Sequence, residues 1–242
     1  MYAFQGASVL TIILLVVSAL VPTIVLFFIT YKFDRLEKEP PRLLRNLLLF
    51  GLLSALIAMI LGTGALNLID IIFIKHKTHF MYHVIYYFGV VAYTEETSKY
   101  IVLKKLTWNQ TSFNSRFDGI LYAVCVSLGF AALENVLYVL VYGFKTALVR
   151  ALISVPVHAC CAVFMGIFYS LAKQYDYEGK EDKSTLFRII ALCLSALMHG
   201  AFDYIATRDD LSIYYLIGFI GILFISSLVI VIRTSRRDRF ID

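Results

Sequence analysis

The chain has 242 residues, of which 60% are hydrophobic and only 16% are charged, with a formal net charge of +5. Soluble domains carry about a quarter charged residues, so this composition excludes a soluble globular protein and indicates a chain that folds in a bilayer. A membrane span needs about 20 apolar residues, which leaves no room for a separate soluble domain. We predict one all-α, polytopic transmembrane domain over residues 1–242 in the cell membrane.

Seven apolar runs follow one another along the chain and are separated by short polar segments. They cover residues 8–30, 47–74, 80–103, 118–142, 147–172, 187–206 and 211–232. Each is long enough for a helix through a hydrocarbon core of about 30 Å. The first is expected to stay as an N-terminal anchor, because no Lys or Arg precedes it and a basic loop follows it. The third begins with several tyrosines, which favours a tilted or partly interfacial helix.

Basic residues concentrate in alternate loops. The loops after the first, third and fifth runs and the C-terminal tail are rich in Lys and Arg, whereas the other loops hold few. The positive-inside rule therefore predicts an N-terminus outside and a C-terminus in the cytoplasm. This pattern explains the net positive charge by membrane topology, so we expect lipid as a partner and no nucleic acid.

Three of the apolar runs contain charged or strongly polar residues. Each charge near the bilayer centre costs about 2.5–3.5 kcal/mol on insertion scales, so such groups usually have a function. They are Glu95, Glu96 and Lys99 in the third run, Glu134 and Asn135 in the fourth, and His199 and Asp203 in the sixth. We treat them as candidate site residues.

The sequence from Glu95 to Lys99 places two carboxylates beside one cation. A helix turns by about 100° per residue, so Lys99 shares a face with Glu95 at i+4 and, alternatively, with Glu96 at i+3. One glutamate can pair with the lysine and leave the other free. Two adjacent carboxylates in a low dielectric do not both ionise readily, so one can act as a general acid or base. The alternative is a structural ion pair that fixes helix packing.

The other candidates also have functional and structural interpretations. Glu134 lies among small residues that permit close helix approach, and it is either a site acid or a hydrogen-bonded packing residue. His199 and Asp203 are four residues apart, so the carboxylate can orient the imidazole, or both can bind one ligand. His158 in the fifth run is equally well explained as a packed histidine. Asp118 is expected to cap the fourth helix. The cysteines lack Cys-x-x-Cys spacing and predict neither a disulfide framework nor a thiolate metal site.

Three short motifs occur in order on three polar-bearing runs: Glu95-Glu96-x-x-Lys99, Phe130-x-x-x-Glu134-Asn135 and His199-x-x-x-Asp203. Together they resemble the PrsW family of bacterial intramembrane proteases. That family is related to the CAAX prenyl endopeptidases and, more distantly, to the Aph subunit of gamma-secretase. The resemblance covers roughly half of the chain, and it implies a glutamic-type intramembrane endopeptidase.

The resemblance also implies roles for individual residues. It makes Glu95 and Glu96 the catalytic carboxylate pair, Glu134 a further active-site acid, and His199 with Asp203 the supporting or oxyanion-facing group. The supporting residues it implies are Lys99, Asn135 and His158. The chain departs from the prenyl endopeptidases, which carry a histidine in place of Glu134 and an arginine one residue beyond Lys99. Prenylated substrates are therefore disfavoured.

The expected mechanism is hydrolysis by an activated water, without a cofactor. One carboxylate of the Glu95–Glu96 pair would deprotonate the water, His199 would hydrogen-bond the developing oxyanion, and Asp203 would fix the imidazole ring. The resemblance implies a single-span membrane protein as substrate, such as an anti-sigma factor, cut on its extracytoplasmic side.

Other functions remain open at this point. A zinc protease could use His158, His199 and Glu134, because zinc accepts those ligands, although the His-Glu-x-x-His signature is absent. An ion or proton transporter could use the same buried acids as a relay, but the sequence shows no inverted repeat. A membrane scaffold without catalytic activity is the third alternative.

Overall fold

The computed structural model describes residues 9–73, 80–208 and 213–241. Within these residues the chain is helical and contains no strand, apart from one isolated bridge between Ser115 and Phe240. The all-α fold is therefore confirmed. Some predicted features lie outside the described residues. They are the run limits at residues 8, 74 and 211 and the loop residues Lys75 and Lys77.

The helices follow the predicted runs closely. In chain order they are α1 (Val9–Phe33), α2 (Pro41–Ile72), α3 (Phe80–Val84), a π-helix (Ile85–Ala92), α4 (Tyr93–Thr107), α5 (Arg116–Tyr142), α6 (Phe144–Leu152), α7 (Ser154–Tyr177), α8 (Glu181–Ala206) and α9 (Ile213–Arg236). The fifth predicted run is broken at Ile153, whose φ of −122° and ψ of −67° separate α6 from α7.

Six helical stretches in the described residues are long and apolar enough to cross a membrane: α1, α2, α5, α6 with α7, α8 and α9. The protein is therefore a multi-pass membrane protein. The third predicted run, residues 80–103, is not among the six. It is divided among α3, the π-helix and α4, and the charges of α4 lower its hydropathy.

Helix α5 lies at the centre of the bundle and is buried without interruption from Phe117 to Ala132. It touches α2 at two glycines. A Cβ atom on Gly51 would lie 2.9 Å from the carbonyl carbon of Val126, and one on Gly129 would lie 2.9 Å from that of Leu48. Small residues are enriched where helices pack in membranes, because they let backbones approach. Here they bring α2 and α5 into direct backbone contact.

The loops that join the helices at one end of the bundle form a polar layer. We call this the basic end: it is where residues 34–40, 108–115 and 237–241 meet. Ser115 is the N-cap of α5, and Asp118 accepts from the Ser115 amide at 2.6 Å, which completes a capping box. Asp118 therefore helps to cap α5 as expected, but it does so from the third helical position, and Ser115 is the N-cap. Asp238 accepts from Ser115 Oγ at 2.9 Å and ties the C-terminal tail to the same place.

Candidate active site

The polar residues predicted from the sequence converge on one cluster between α4, α5, α7 and α8. Its members are Glu95, Glu96 and Lys99 of α4, Glu134 of α5, His158 of α7, and Ser195, His199 and Asp203 of α8. The predicted site residue outside this cluster is Asn135. These four helices therefore present their ionisable groups to a common centre.

Glu96 is the most constrained of these groups, with only 1% of its surface exposed. Its Oε1 accepts a hydrogen bond from Lys99 Nζ at 2.6 Å and lies 2.9 Å from His199 Nδ1, while its Oε2 accepts from Ser195 Oγ at 2.5 Å. Because the carboxylate is an acceptor, the hydrogen on His199 lies at Nδ1. Glu96 therefore orients the imidazole so that Nε2 is free for other contacts.

Lys99 is equally buried and joins three helices. Its Nζ lies 3.0 Å from His158 Nδ1 and 4.1 Å from the centre of the Phe130 ring, in addition to its contact with Glu96. An ammonium group has donors and no acceptor, so His158 Nδ1 accepts and His158 Nε2 carries the hydrogen. That nitrogen lies 2.9 Å from Glu134 Oε2, to which it donates. Lys99 thus determines the tautomer of His158, in which Nε2 carries the hydrogen and donates to Glu134.

A residue of α6 contacts the same oxygen of Glu134. Arg150 Nη2 lies 2.9 Å from Glu134 Oε2, and Arg150 Nε donates to Asn135 Oδ1 at 3.2 Å. The amide nitrogen of Asn135 donates to the carbonyl of Ala19 in α1 at 2.8 Å. Asn135 therefore links Arg150 of α6 to the backbone of α1 next to the cluster. Arg150 belongs to α6, the short helix before the break at Ile153, and it was not among the predicted site residues.

Glu95 differs from Glu96 in being turned toward open space. Its Oε2 is buried without a hydrogen-bond partner and lies 3.8 Å from both Lys99 Nζ and His199 Nε2. Asp203 Oδ2 lies on the same side, 3.5 Å from His199 Nε2. Two carboxylates therefore flank the ring, Glu96 at Nδ1 and Asp203 at Nε2, and the role of Asp203 in fixing the ring stays a prediction.

A cavity of about 510 Å³ adjoins the cluster. Its polar lining consists of Glu95, Glu134, Arg150, His158, His199 and Asp203, and tyrosines 86, 87 and 138 line it as well. Ala206 and Thr207 at the end of α8 and Leu216 near the start of α9 also border it. The cavity therefore extends from the cluster toward the end of the bundle opposite the basic end.

The π-helix directly precedes α4 and packs against α8 beside the cluster. Gly200 of α8 packs against it so closely that a Cβ atom there would lie 2.7 Å from Phe88 Cδ1 and 3.0 Å from Phe88 Cα. π-Helical turns are rare and are frequent at functional sites. The close contact lies one residue beyond His199, so it sets the spacing between α8 and the segment that leads into Glu95.

The donor set fits a divalent metal. One potential ligand atom from each of Glu95, His158 and His199 lies within 4.8 Å of the others. Two imidazoles and a carboxylate are a common ligand set of catalytic zinc, and a carboxylate on the far nitrogen of His199 is a frequent accompaniment. The unpartnered Glu95 Oε2 also faces this point. The set differs from the predicted one, because Glu95 takes the place of Glu134, which is engaged by Arg150 and His158.

Comparison with known proteins gives a consistent result. A family model described as "PrsW family intramembrane metalloprotease" matches residues 39–232, which include every helix of the cluster. No solved structure matches the chain.

Three curated relatives are all named Protease PrsW. The chain is 36% identical to that of Bacillus subtilis (strain 168) over 54% of this chain and 58% of the relative's length. It is 31% identical to that of Clostridioides difficile (strain 630) over 77% of this chain and 76% of the relative. It is 29% identical to that of Shouchella clausii (strain KSM-K16) over 92% of this chain and 97% of the relative. The word metalloprotease disagrees with the expectation that no cofactor is needed and agrees with the zinc alternative.

Proposed function

Because the chain belongs to the PrsW family of intramembrane proteases, we propose that it hydrolyses a peptide bond of a membrane protein in the cavity beside Glu95 and His199. The observation that carries this proposal is the contrast between two neighbouring carboxylates. Glu96 is fully engaged by three donors, whereas Glu95 is half-buried and its Oε2 makes no hydrogen bond, with Lys99 Nζ and His199 Nε2 at 3.8 Å as its nearest cationic neighbours. A buried carboxylate oxygen without a hydrogen bond is costly, and a ligand or a reacting molecule would compensate it.

In the proposed reaction Glu95 accepts a proton from the water that attacks the scissile carbonyl, and it returns that proton to the leaving nitrogen. His199 donates from Nε2 to the developing oxyanion in its doubly protonated form, in which Nδ1 donates to Glu96 and fixes the ring direction. Glu96 and Lys99 are positioning residues in this scheme. Glu134 and Asp203 border the cavity as further acids.

Glu95, His158 and His199 are the residues that would hold a metal. A divalent metal there would polarise the scissile carbonyl and make the attacking water more acidic. For His158 Nε2 to be a ligand, the hydrogen that it donates to Glu134 would have to sit on Nδ1 instead, and Nδ1 faces Lys99 Nζ at 3.0 Å. Metal binding there would therefore require Lys99 Nζ to turn away from the ring or to give up a proton.

The substrate class follows from where the cavity lies. A cavity within the bundle that extends away from the basic end is suited to a segment that enters from the membrane or from that side. We propose a single-span membrane protein, such as an anti-sigma factor, cut near its extracytoplasmic boundary. This scheme places the N-terminus outside and the C-terminus in the cytoplasm, and it counts residues 80–107 as a seventh crossing, in agreement with the distribution of basic loops.

The test compares membranes of cells that express the wild-type protein, Glu95→Gln and the control Glu181→Gln, which changes an exposed carboxylate of α8. New protein N-termini are enriched and identified by mass spectrometry. We expect a fragment of a single-span protein that disappears in Glu95→Gln, with a loss of about a hundredfold or more, at equal protein level. Identical fragments in wild type and Glu95→Gln would exclude the proposal.

A second arm addresses the metal. Purified protein is treated with a chelator, its metal content is measured, and zinc is added back. If Glu95, His158 and His199 hold a metal, cleavage is lost with the metal and returns with zinc, and His158→Ala retains less metal. Full activity of metal-free protein would leave the carboxylate mechanism alone.

A further inference from the structure

A second groove lies between α4 and α8, on the side of the cluster that faces the basic end. Its volume is about 360 Å³, and it is lined by Tyr100, Lys104, Thr185, Arg188, Ile189 and Leu192. None of these residues belongs to the candidate active site. The groove is therefore a separate feature of the same pair of helices.

The polar part of the groove consists of two cations. Within the described ranges neither Lys104 nor Arg188 forms an ion pair with a carboxylate. Arg188 Nη2 donates to Thr185 Oγ1 at 2.7 Å, and its guanidinium lies 5.1 Å from the Trp108 ring. Its Nε is buried and has no acceptor. A guanidinium with an unused buried donor favours a bidentate anion such as phosphate.

The apolar part of the groove is open at the surface of the bundle. Ile189 is 55% exposed and Leu192 is partly buried, and the adjacent Leu186 and Ile101 are 53% and 46% exposed. Ile189 and Leu192 line the groove itself, and Leu186 and Ile101 are exposed apolar residues of the same two helices. A ligand that fits would be anionic at the basic end and apolar along its length.

We propose that this groove binds an anionic phospholipid, with its phosphate on Arg188 and Lys104 and an acyl chain along Ile189 and Leu192. Basic pockets between helices near the membrane surface are suited to acidic headgroups. Free phosphate offers the same chemistry to the two cations but does not use the apolar wall. The proposal does not depend on the protease function.

The position of the groove gives binding a structural effect. Tyr100 follows Lys99 directly, and Leu192 precedes Ser195 by three residues on α8. A lipid seated between these positions contacts both helices that hold Glu96 and His199. We therefore expect binding to stabilise the pairing of α4 with α8 and to raise the thermal unfolding temperature.

The test uses the full-length protein in detergent and measures retained lipid by native mass spectrometry, with thermal unfolding alongside. Phosphatidylglycerol, phosphatidylcholine and inorganic phosphate are compared. The variants are Arg188→Gln, Lys104→Gln, the charge-preserving Arg188→Lys, and the control Arg42→Gln, which removes an exposed cation elsewhere at the basic end.

We expect preferential retention of phosphatidylglycerol, reduced about fivefold by each loss of a groove cation and less by Arg188→Lys. Arg42→Gln should bind as the wild type does. Equal retention of both lipids, unchanged binding in the groove variants, or the same stabilisation by inorganic phosphate alone would overturn the proposal. Arg188→Lys keeps the test decisive if Arg188→Gln does not fold.

Discussion

At the scale of single residues, two glutamates of the same chemistry have different environments because they point to different sides of α4. Glu96 faces α8 and is engaged by Lys99, Ser195 and His199. Glu95 faces the cavity and has no hydrogen-bond partner for its Oε2. The assignment of Glu95 as the reacting group depends on this difference. The difference in turn depends on the ion pair between Lys99 and Glu96, which can be tested by substitution.

Lys99→Met removes the buried cation that lies between Glu96 and His158. The loss leaves Glu96 without its strongest partner, and breaking a buried ion pair from one side costs about 3–5 kcal/mol. We expect a large drop in thermal stability. In Lys99→Met/Glu96→Gln the carboxylate is neutral, so part of the stability should return, as a double-mutant cycle of unfolding free energies would show. Equal stability of Lys99→Met and wild type would contradict the buried pair.

The residue types of the site were predictable, but their partners were not. The i, i+4 spacing placed Lys99 beside both glutamates without choosing between them, and the structure pairs it at 2.6 Å with Glu96. Ser195 was missed, although its position four residues before His199 puts it on the same helical face. Arg150 could not have been found from periodicity, because its contact with Glu134 crosses helices.

At the scale of helices, the contact between the π-helix and α8 provides a direct test of how the site is spaced. In Gly200→Ala the new methyl group would overlap the Phe88 ring and approach its Cα at 3.0 Å. We expect a loss of about 1–3 kcal/mol in stability, the usual cost of overpacking, together with lower activity from displacement of His199.

The control for this variant is Gly64→Ala in α2, where nothing lies within 4 Å of the added carbon. Its stability should be unchanged or slightly higher, since alanine is the better helix former. Gly200→Ala/Phe88→Leu should recover part of the lost stability, because the overlap with the ring is removed. The recovery should be incomplete, because the close contact with the Cα of residue 88 remains. If Gly200→Ala is as stable and as active as the wild type, the distance between the π-helix and α8 can change without harm to the site.

The helices themselves could be predicted well, because apolar runs of about 20 residues have few alternatives in a membrane. The interruptions were not predicted. A π-helix shifts hydrogen bonds to i+5 without a distinct hydropathy pattern, and residues 85–92 are uniformly apolar and aromatic. The break at Ile153 did have a local signal that the prediction did not use: Pro156 lacks an N–H for the Leu152 carbonyl and belongs in the first turn of a new helix.

At the scale of the whole molecule, buried acids at the basic end connect its stability to pH. Burial raises the pKa of Glu39 from 4.5 to about 8, despite a hydrogen bond from Tyr122. Burial likewise raises the pKa of Asp34 from 3.8 to about 6. The folded protein therefore holds protons that the unfolded chain releases, and stability falls as the pH rises through these windows.

Glu39→Gln should flatten this dependence. The amide keeps an acceptor for Tyr122 but removes the titration, so the variant should gain about 4 kcal/mol over wild type at pH 8 and little at pH 4. Thermal unfolding in detergent between pH 4 and 9 measures the difference, with Glu181→Gln as an exposed control. Parallel curves for Glu39→Gln and wild type would show that Glu39 titrates normally in the folded protein.

The two glycine contacts between α2 and α5 limit how the bundle can move. The Val126 carbonyl sits in the notch at Gly51, and the Leu48 carbonyl sits in the notch at Gly129. Such reciprocal notches allow neither helix to slide along the other without a backbone collision. None of the described residues of α2 lines the cavity, whereas the π-helix and α6 do. We therefore expect any movement that admits a polypeptide to displace those two elements and to leave α2 and α5 in register.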